Sequence, residues 1–474
     1  MRKFDLFMTL PLLLTAACID EVSEGEKCAT VDDTAAPDDA TTDLEGSVPD
    51  TAEDDIADDD TLEDDTAGGD TADEIDDDTA AGDTDDDTEC ADRDEDGLCD
   101  EDDGCPDEPT LTEPTACGCD PSLVPGTFVD SGQTIGSGVG NRKMLIGDLD
   151  GDSDLDLFLV SAFHPDEVWL NDGTGTFTDS GARLDSFVDT VGLLADFDQD
   201  GDLDVVTGAH NRSSADSRLY LNDGAAHFTD SGVRFATGNY VSMGLGDFNN
   251  DSWPDFAVGN HSDSRSTYAY TNNGAGTGFG GVSFGGLAAW AITVGDVNGD
   301  SYDDILIGVH GASNQIHLNN GAGGFTGSTF GDPTSNASTL SLGDVDADGD
   351  LDAVVGIGGG PGSEVWINDG TGAFTDSGQA LVANNASHST ITDIDYDGDL
   401  DVIFSDMADG ANGGARIYLN DGEGRFTLGQ HIGVGIASQG HGVGDVNGDG
   451  LVDMVLAAEF QSGALFLNSC AVAE

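Results

Sequence analysis

The stretch from Asp393 to Asp401 reads Asp-Ile-Asp-Tyr-Asp-Gly-Asp-Leu-Asp, with carboxylates at positions 1, 3, 5, 7 and 9 and glycine at 6. Anions spaced this closely repel one another, and a bound cation is what would hold them together. Calcium suits the pattern: it is a hard ion that takes six to eight oxygens in flexible geometry, and its loops need a sharp turn near position 6. Zinc and other transition metals are disfavoured by an all-oxygen ligand set. No Ser/His/Asp order, Cys/His pair, Gly-rich phosphate loop or dinucleotide fingerprint is visible, so no catalytic residues are assigned.

The pattern occurs seven times, starting at Asp148, Asp196, Asp247, Asp296, Asp344, Asp393 and Asp445, at intervals of 48 to 52 residues. A single acidic loop reads as a solvated turn, but seven in register signal a repeat architecture. The spacing begins like an EF-hand loop, yet position 12, where that loop needs a bidentate Glu, is Phe404. Ile391 leads in and Val402-Ile403-Phe404 leads out, runs that predict strands rather than helices. Each copy is therefore expected to be a metal loop within a β-hairpin.

The elements that position the loops follow from the first period. Met144–Gly147 reads as strand 1, Leu157–Val160 as strand 2, Glu167–Leu170 as strand 3 and Thr176–Thr178 as strand 4. An Asn-led turn precedes strand 4 at Asn171, Asn222, Asn272, Asn319, Asn368 and Asn420, as expected where a tight hairpin requires positive φ. Just before it lies an aromatic slot: Trp169, Tyr220, Tyr270, His317, Trp366, Tyr418, Phe466. Such a slot should pack between neighbouring units, which makes His317 structural. Four strands in each of seven periods predict an all-β, seven-bladed β-propeller.

This grammar resembles the FG-GAP and VCBS repeats, the class that builds the propeller of integrin α subunits, from residue 121 to 474. The resemblance implies calcium (Ca2+), up to seven ions, held by side-chain oxygens at positions 1, 3, 5 and 9 and a backbone carbonyl at 7. The implied side chains are Asp148, Asp150, Asp152 and Asp156; Asp196, Asp198, Asp200 and Asp204; Asp247, Asn249, Asp251 and Asp255; and Asp296, Asn298, Asp300 and Asp304. The later loops supply Asp344, Asp346, Asp348 and Asp352; Asp393, Asp395, Asp397 and Asp401; and Asp445, Asn447, Asp449 and Asp453. Position 6 is Gly in loops 2, 5, 6 and 7 but Ser153, Ser252 and Ser301 in loops 1, 3 and 4, at about 1 kcal/mol each if left-handed. Loop 3 has three carboxylates and is expected to bind most weakly.

The chain before the repeats sets the compartment. Formal net charge is -82, with 95 Asp plus Glu against 13 Lys plus Arg, which excludes nucleic acid as a partner and disfavours direct docking to an anionic bilayer. Met1-Arg2-Lys3 followed by an apolar run from Leu6 to Ala17 reads as an export signal, residues 1–18. Leu14 to Cys18 resembles a bacterial lipobox, which implies lipidation at Cys18 and a cell-surface or outer-membrane lipoprotein held to the membrane through that anchor alone. Thr15-Ala16-Ala17 equally suits an ordinary signal peptidase and secretion. Residues 19–89 are acidic low complexity, expected to be a disordered, self-repelling spacer. Residues 90–120 resemble a thrombospondin type 3 repeat, which implies further calcium ligands at Asp92, Asp94, Asp96 and Asp100. The cysteines that appear with that shift read as disulfides in an exported chain, leaving Cys28 as the candidate unpaired thiol.

A second pattern stands six residues past each loop's last Asp: Ala162, His210, His261, His310, Gly358, Met407 and Glu459. Three consecutive copies present His at one level, opposite the metal loops, with His164 close by and His388 and His441 expected to approach the same face. Repeat equivalence alone would reproduce a residue that bonds the following turn. The functional alternative is a ligand face near a channel mouth, formed by His210, His261, His310 and Glu459. Three functions compete. They are a cell-surface module binding a protein or glycan, a calcium-dependent polysaccharide lyase or hydrolase, and a structural coat. The enzyme would need Lys or Arg beside the histidines, and Arg212 and Arg265 are the candidates.

The seventh copy ends after strand 3, while Gly126–Gly132 matches Gly175–Gly181, the fourth strand of copy 1. The N-terminal segment is therefore expected to complete the last blade. A disulfide from Cys470 to Cys117 or Cys119, with Cys119 preferred, would staple the closure.

Overall fold

The computed structural model describes residues 116–118 and 122–472, except 139, 185–188, 210–216, 237, 263–264, 275, 277, 361, 382–384 and 409. The expectations for Cys18, Cys28, the 19–89 spacer, Asp92, Asp94, Asp96, Asp100, Cys119, His210 and Arg212 lie outside the described residues.

The described chain is all-β apart from one short 3-10 turn, Gly410–Asn412, and forms seven four-stranded antiparallel sheets. In blade 1 the strands are Asn141–Gly147, Asp156–Ser161, Asp166–Leu170 and Thr178–Leu184, in spatial order. The fourth strand thus begins where the sequence reading ended it. Phe177 lies just ahead and is buried in the core between blades 7 and 1. First strands neighbour one another from blade 1 round to blade 7 and back to blade 1, which closes the ring. Second strands are buried along their whole length, as in Asp156–Ser161, so they read as continuous apolar runs. Fourth strands such as Thr178–Leu184 are mostly exposed and form the rim.

Seven apolar clusters sit between adjacent blades, and the aromatic slot contributes to six of them. His317 packs on Phe284 of blade 3 with ring centroids 4.4 Å apart, while its Nε2 meets Gln315 Oε1 at 3.0 Å. It is a structural residue, as the slot predicts.

The ring closes as the sequence predicts. Leu123–Ile135 pairs antiparallel with Gly463–Val472, with Phe128 opposite Asn468 and Asp130 opposite Phe466. The staple is also present, but it joins Cys470 to Cys117 rather than the preferred Cys119, with Cα atoms 5.7 Å apart. Cys117 lies further from the strand start at Leu123, and the added slack lets the connection reach back to Cys470.

Candidate functional site

Each acidic loop joins strand 1 to strand 2 of its blade and is anchored by its second and ninth residues. The second residue is a fully buried apolar side chain: Leu149, Phe197, Phe248, Val297, Val345, Ile394 or Val446. The ninth is a buried Asp whose two oxygens take different backbone N–H groups. Asp156 accepts from Leu149 at 3.0 Å and from Asn171 at 2.8 Å, and Asp401 accepts likewise from Ile394 and Asn420. Burial pushes these carboxyls up to about 6 in Asp156, Asp255, Asp304, Asp352 and Asp453, and to about 7 in Asp204 and Asp401, against the lowering effect of those N–H donors.

The turn asparagines have a role that the sequence reading missed. Asn171 does not adopt positive φ; Gly173 and Gly175 do. The Asn171 amide instead donates to Val446 O of the preceding blade at 2.7 Å and to Leu155 O of its own loop at 3.1 Å. Asn222, Asn272, Asn319, Asn368, Asn420 and Asn468 repeat this reach to Leu149, Phe197, Phe248, Val297, Val345 and Ile394. Each loop is therefore latched to the next blade. The available signal was Asn468, which persists where Asp-Gly gives way to Ser-Cys.

The metal fit is sharpest in four loops. Asp148, Asp150 and Asp156, the matching trio in loop 2 (Asp196, Asp198, Asp204), Asp344, Asp346 and Asp348 in loop 5, and Asp393, Asp395 and Asp401 in loop 6 each bring oxygens within 4.8 Å of one another. In those same loops Oδ1 of Asp150, Asp198, Asp346 and Asp395 is buried without a hydrogen-bond partner, as is Oδ1 of Asp393. A buried carboxylate oxygen aimed at other carboxylates, with no donor, fits a cation ligand. Desolvation, then the neighbouring Asp at position 5, raises the carboxyl of all four position-3 residues. In loops 3, 4 and 7 position 3 is Asn, whose Oδ1 accepts the position-5 N–H at 3.1, 3.0 and 2.9 Å for Asn249, Asn298 and Asn447.

Glycine does not sort the loops in this way. Ser153 at φ 76 sits in a gathered loop, and Gly450 at φ 84 in an ungathered one. Position 4 is left-handed too, and loop 3 alone places non-glycine residues at both positions, Asn250 and Ser252. Strain at both adds to its charge deficit.

On the face opposite these loops the second strands end in one level. The N–H groups of Ala162, His261, His310, Gly358, Met407 and Glu459 donate to Gly140, Asn239, Ala288, Asn336, Asn385 and Ala437 ahead of the first strands. Every first strand carries a register shift there, between Asn141 and Lys143 in blade 1 and at the equivalent place in each other blade. The residue within the shift, one per blade, lines a cavity of about 420 Å³: Arg142, Thr190, Val241, Trp290, Ser338, Ser387 and Gln439. A bulge re-aims a side chain, and here seven of them aim at one mouth.

His261 and His310 join that lining. Trp290 links them in a ladder, its ring centroid 4.4 Å from His261 and 4.6 Å from His310. Burial, then His310, lowers the His261 ring below the usual range. Glu459 lies behind the lining, 2.9 Å from Arg142 and bonded to Gln439. His388 and His441 do not join this level. They line a second cavity of about 180 Å³ that shares Lys143, Val241, Trp290, Ser338 and Ser387 with the first. They sit one and two residues further along their strands toward the loops than the bulge position. The cations at the mouth are also not those expected, since Arg265 is absent from the lining and Arg142 and Lys143 supply it.

Seven blades, four of whose hairpin loops gather carboxylates on one side, define a repeat propeller with candidate metal sites. The chain belongs to the FG-GAP-like repeat family: the family model matches residues 148–207, 196–258, 247–307, 296–355, 344–404 and 393–456, six overlapping windows that take in all seven loops. No curated protein matches the chain by sequence. Among solved structures it is similar to the crystal structure of BBS1N in complex with ARL6DN soaked with lead, at 12% identity and TM-score 0.50, over 73% of this chain and 97% of that one. The mercury-soaked counterpart matches at 10% identity and TM-score 0.49, over the same shares. At such identities the likeness is one of fold.

Proposed function

We propose that this propeller is an exported, calcium-stabilised binding module that displays its ligand site on the face opposite the metal loops. The observation that carries the reading is the division of labour between faces. The loops repeat one ligand set, whereas the seven bulge positions carry Arg, Thr, Val, Trp, Ser, Ser and Gln round one cavity. Repeat equivalence alone would give the same residue seven times, so the mouth reads as a surface specialised for a partner, a protein or a glycan. Exposed Phe163, Phe460 and Val434, 58%, 65% and 59% accessible, lie in connections on that side and extend it. The similarly folded BBS1N, crystallised with ARL6DN, supports the use of such a fold in recognition. Calcium at Asp148, Asp196, Asp344, Asp393 and their partners would neutralise the loops and stabilise the ring. The export signal and Cys18 would put the module on the cell surface by a lipid anchor.

A glycan and surface-protein array, probed in calcium and in chelator, tests this. Retention of a partner that fails after His261→Ala and Trp290→Ala supports the reading, and an array with no retained partner sinks it. A second reading, a polysaccharide lyase, is favoured by Lys143, an amine that desolvation pulls down to about 7 at the wall shared by both cavities. Release of unsaturated sugar products would establish it.

A further inference from the structure

The two joined cavities are anomalous in their charge. Of 95 acidic residues in the chain, none lines either cavity among the described residues, whereas Arg142, Lys143, His261, His310, His388 and His441 do. Arg142 is balanced by Glu459 and lies 5.8 Å from the Phe163 ring. Lys143 has no hydrogen-bonding or ionic partner among the described residues. Beside it, His441 places Nδ1 2.8 Å from Ser405 Oγ and Nε2 2.9 Å from Thr390 Oγ1, and its ring is 4.6 Å from that of His388. His388 Nδ1 is buried without any partner. A cluster of bases with an unmet donor–acceptor site and no acid is a receptor for an anion.

We propose that these cavities bind a carboxylate-bearing sugar, its acid group set against Lys143 and His388 and its ring at the His261–Trp290–His310 ladder. The inference rests on the binding-module reading and names its ligand class. The volume of about 420 Å³ suits a small saccharide unit rather than a folded partner. The side-chain amides of Asn336 and Asn385 supply donors and acceptors for sugar hydroxyls; Ser338 and Ser387, which donate to Ala386 O and Ser438 O, and Gln439, which donates to Glu459, add acceptor oxygens, and the ladder supplies an apolar wall. An acidic peptide would meet the cations but would leave much of this amide ring unpaired. Burial and the charge of Lys143 hold His388 well below its usual range and His441 down to about 3, and burial alone lowers Lys143. An arriving carboxylate therefore draws a proton onto the cluster.

The test is calorimetric titration of the full, calcium-loaded chain with galacturonic acid trimer, its methyl ester and an acidic hexapeptide. Saturable binding of the trimer is expected, with proton uptake at pH 7.5 read from two buffers of different ionisation heat. Lys143→Met should weaken it by about tenfold to a hundredfold at unchanged melting temperature. Proton uptake in the unmodified chain carries the test if that variant does not fold. Equal binding of acid and ester, or binding of the peptide alone, overturns the sugar-acid inference and leaves the module reading standing. Trimer binding without proton uptake and unaffected by Lys143→Met overturns the placement. No binding of any probe, by a chain that still retains a partner on the array, overturns this inference alone.

Discussion

The loop face and the cavity face are built from the same seven periods, yet they treat repetition in opposite ways. On the loop face, side chains repeat because each copy solves one local problem: gathering oxygens and latching to the next blade. Asn222 reaching Leu149 O and Asn420 reaching Val345 O are the same contact in two places. On the cavity face the backbone repeats, register shift included, while the side chains diverge from Arg142 to Gln439. The difference teaches that the repeat unit is a scaffold on one side, while on the other Thr190, Ser338 and Ser387 still repeat one bond to the next blade and Arg142, Val241, Trp290 and Gln439 are free to differ. Stability should therefore respond to changes in the loops, and recognition to changes in the bulges.

The strongest way to break this contrast is to remove metal. Chelation should lower the melting temperature by ten degrees or more, on the order of 2.7 kcal/mol for each site held at a hundred times its Kd. A melting temperature indifferent to chelator would end the metal reading of the loops. In metal-free protein the sign with pH is also fixed. The folded carboxyls at Asp204 and Asp401 sit near 7 and the other five near 6, above their unfolded value, so the folded state holds protons that the unfolded state has released. Metal-free stability should fall as pH rises from about 4 to 7, and calcium should remove that fall. Melts at pH 5 and 7.5, with and without calcium, read the crossing directly.

Next in size is the staple. Cys470→Ser should cost about 2–4 kcal/mol by denaturant titration, and non-reducing peptide mapping should recover the Cys117–Cys470 peptide. Recovery of Cys470 as a free thiol would refute it. Third, Asn222→Ala removes the amide that donates to Leu149 O, which keeps the Ala226 N–H, and to Leu203 O, at about 1–3 kcal/mol. An effect confined to a few tenths would mean the latch is dispensable. The smallest shift is expected on the opposite face. His210→Ala with His261→Ala and His310→Ala should leave the melting temperature within a few degrees while abolishing ligand retention. Collapse of the fold instead would assign those rings to structure.

The fold was legible because its signals are local and repeated. Asp393–Asp401, the β-branched flanks and the orphaned Gly126–Gly132 strand needed nothing beyond the chain itself to imply blades and closure. What escaped reading depends on contacts between periods. Asn171 looks like a turn residue until Val446 O of another blade appears beside it. Trp290 sits in Ala-Ala-Trp-Ala with no motif, and its importance comes from a register shift that aims it between two histidines from neighbouring second strands. The His261 and His310 level was visible as a spacing, but its cations were not, since Arg142 and Lys143 precede their loop whereas Arg212 and Arg265 follow theirs.

The closure of blade 7 also decides how the molecule meets mechanical load. Tension applied through the chain before Cys117 would enter the ring at Leu123, opposite Val472 at the open end of the shared ladder. A ladder pulled from its end unzips, each bond failing in turn under nearly the full force. The Cys117–Cys470 bond ties the incoming chain to a residue inside that ladder, between the Val124–Ala471 and Thr127–Ser469 pairs, so the pull passes covalently into the C-terminal strand before it loads the Leu123 end. Peeling from Leu123 is then bypassed, and the load falls on Gly463–Val472, which is paired on both sides. A ring loaded from its N-terminal side would thus meet the force with a covalent bond before a hydrogen-bonded one.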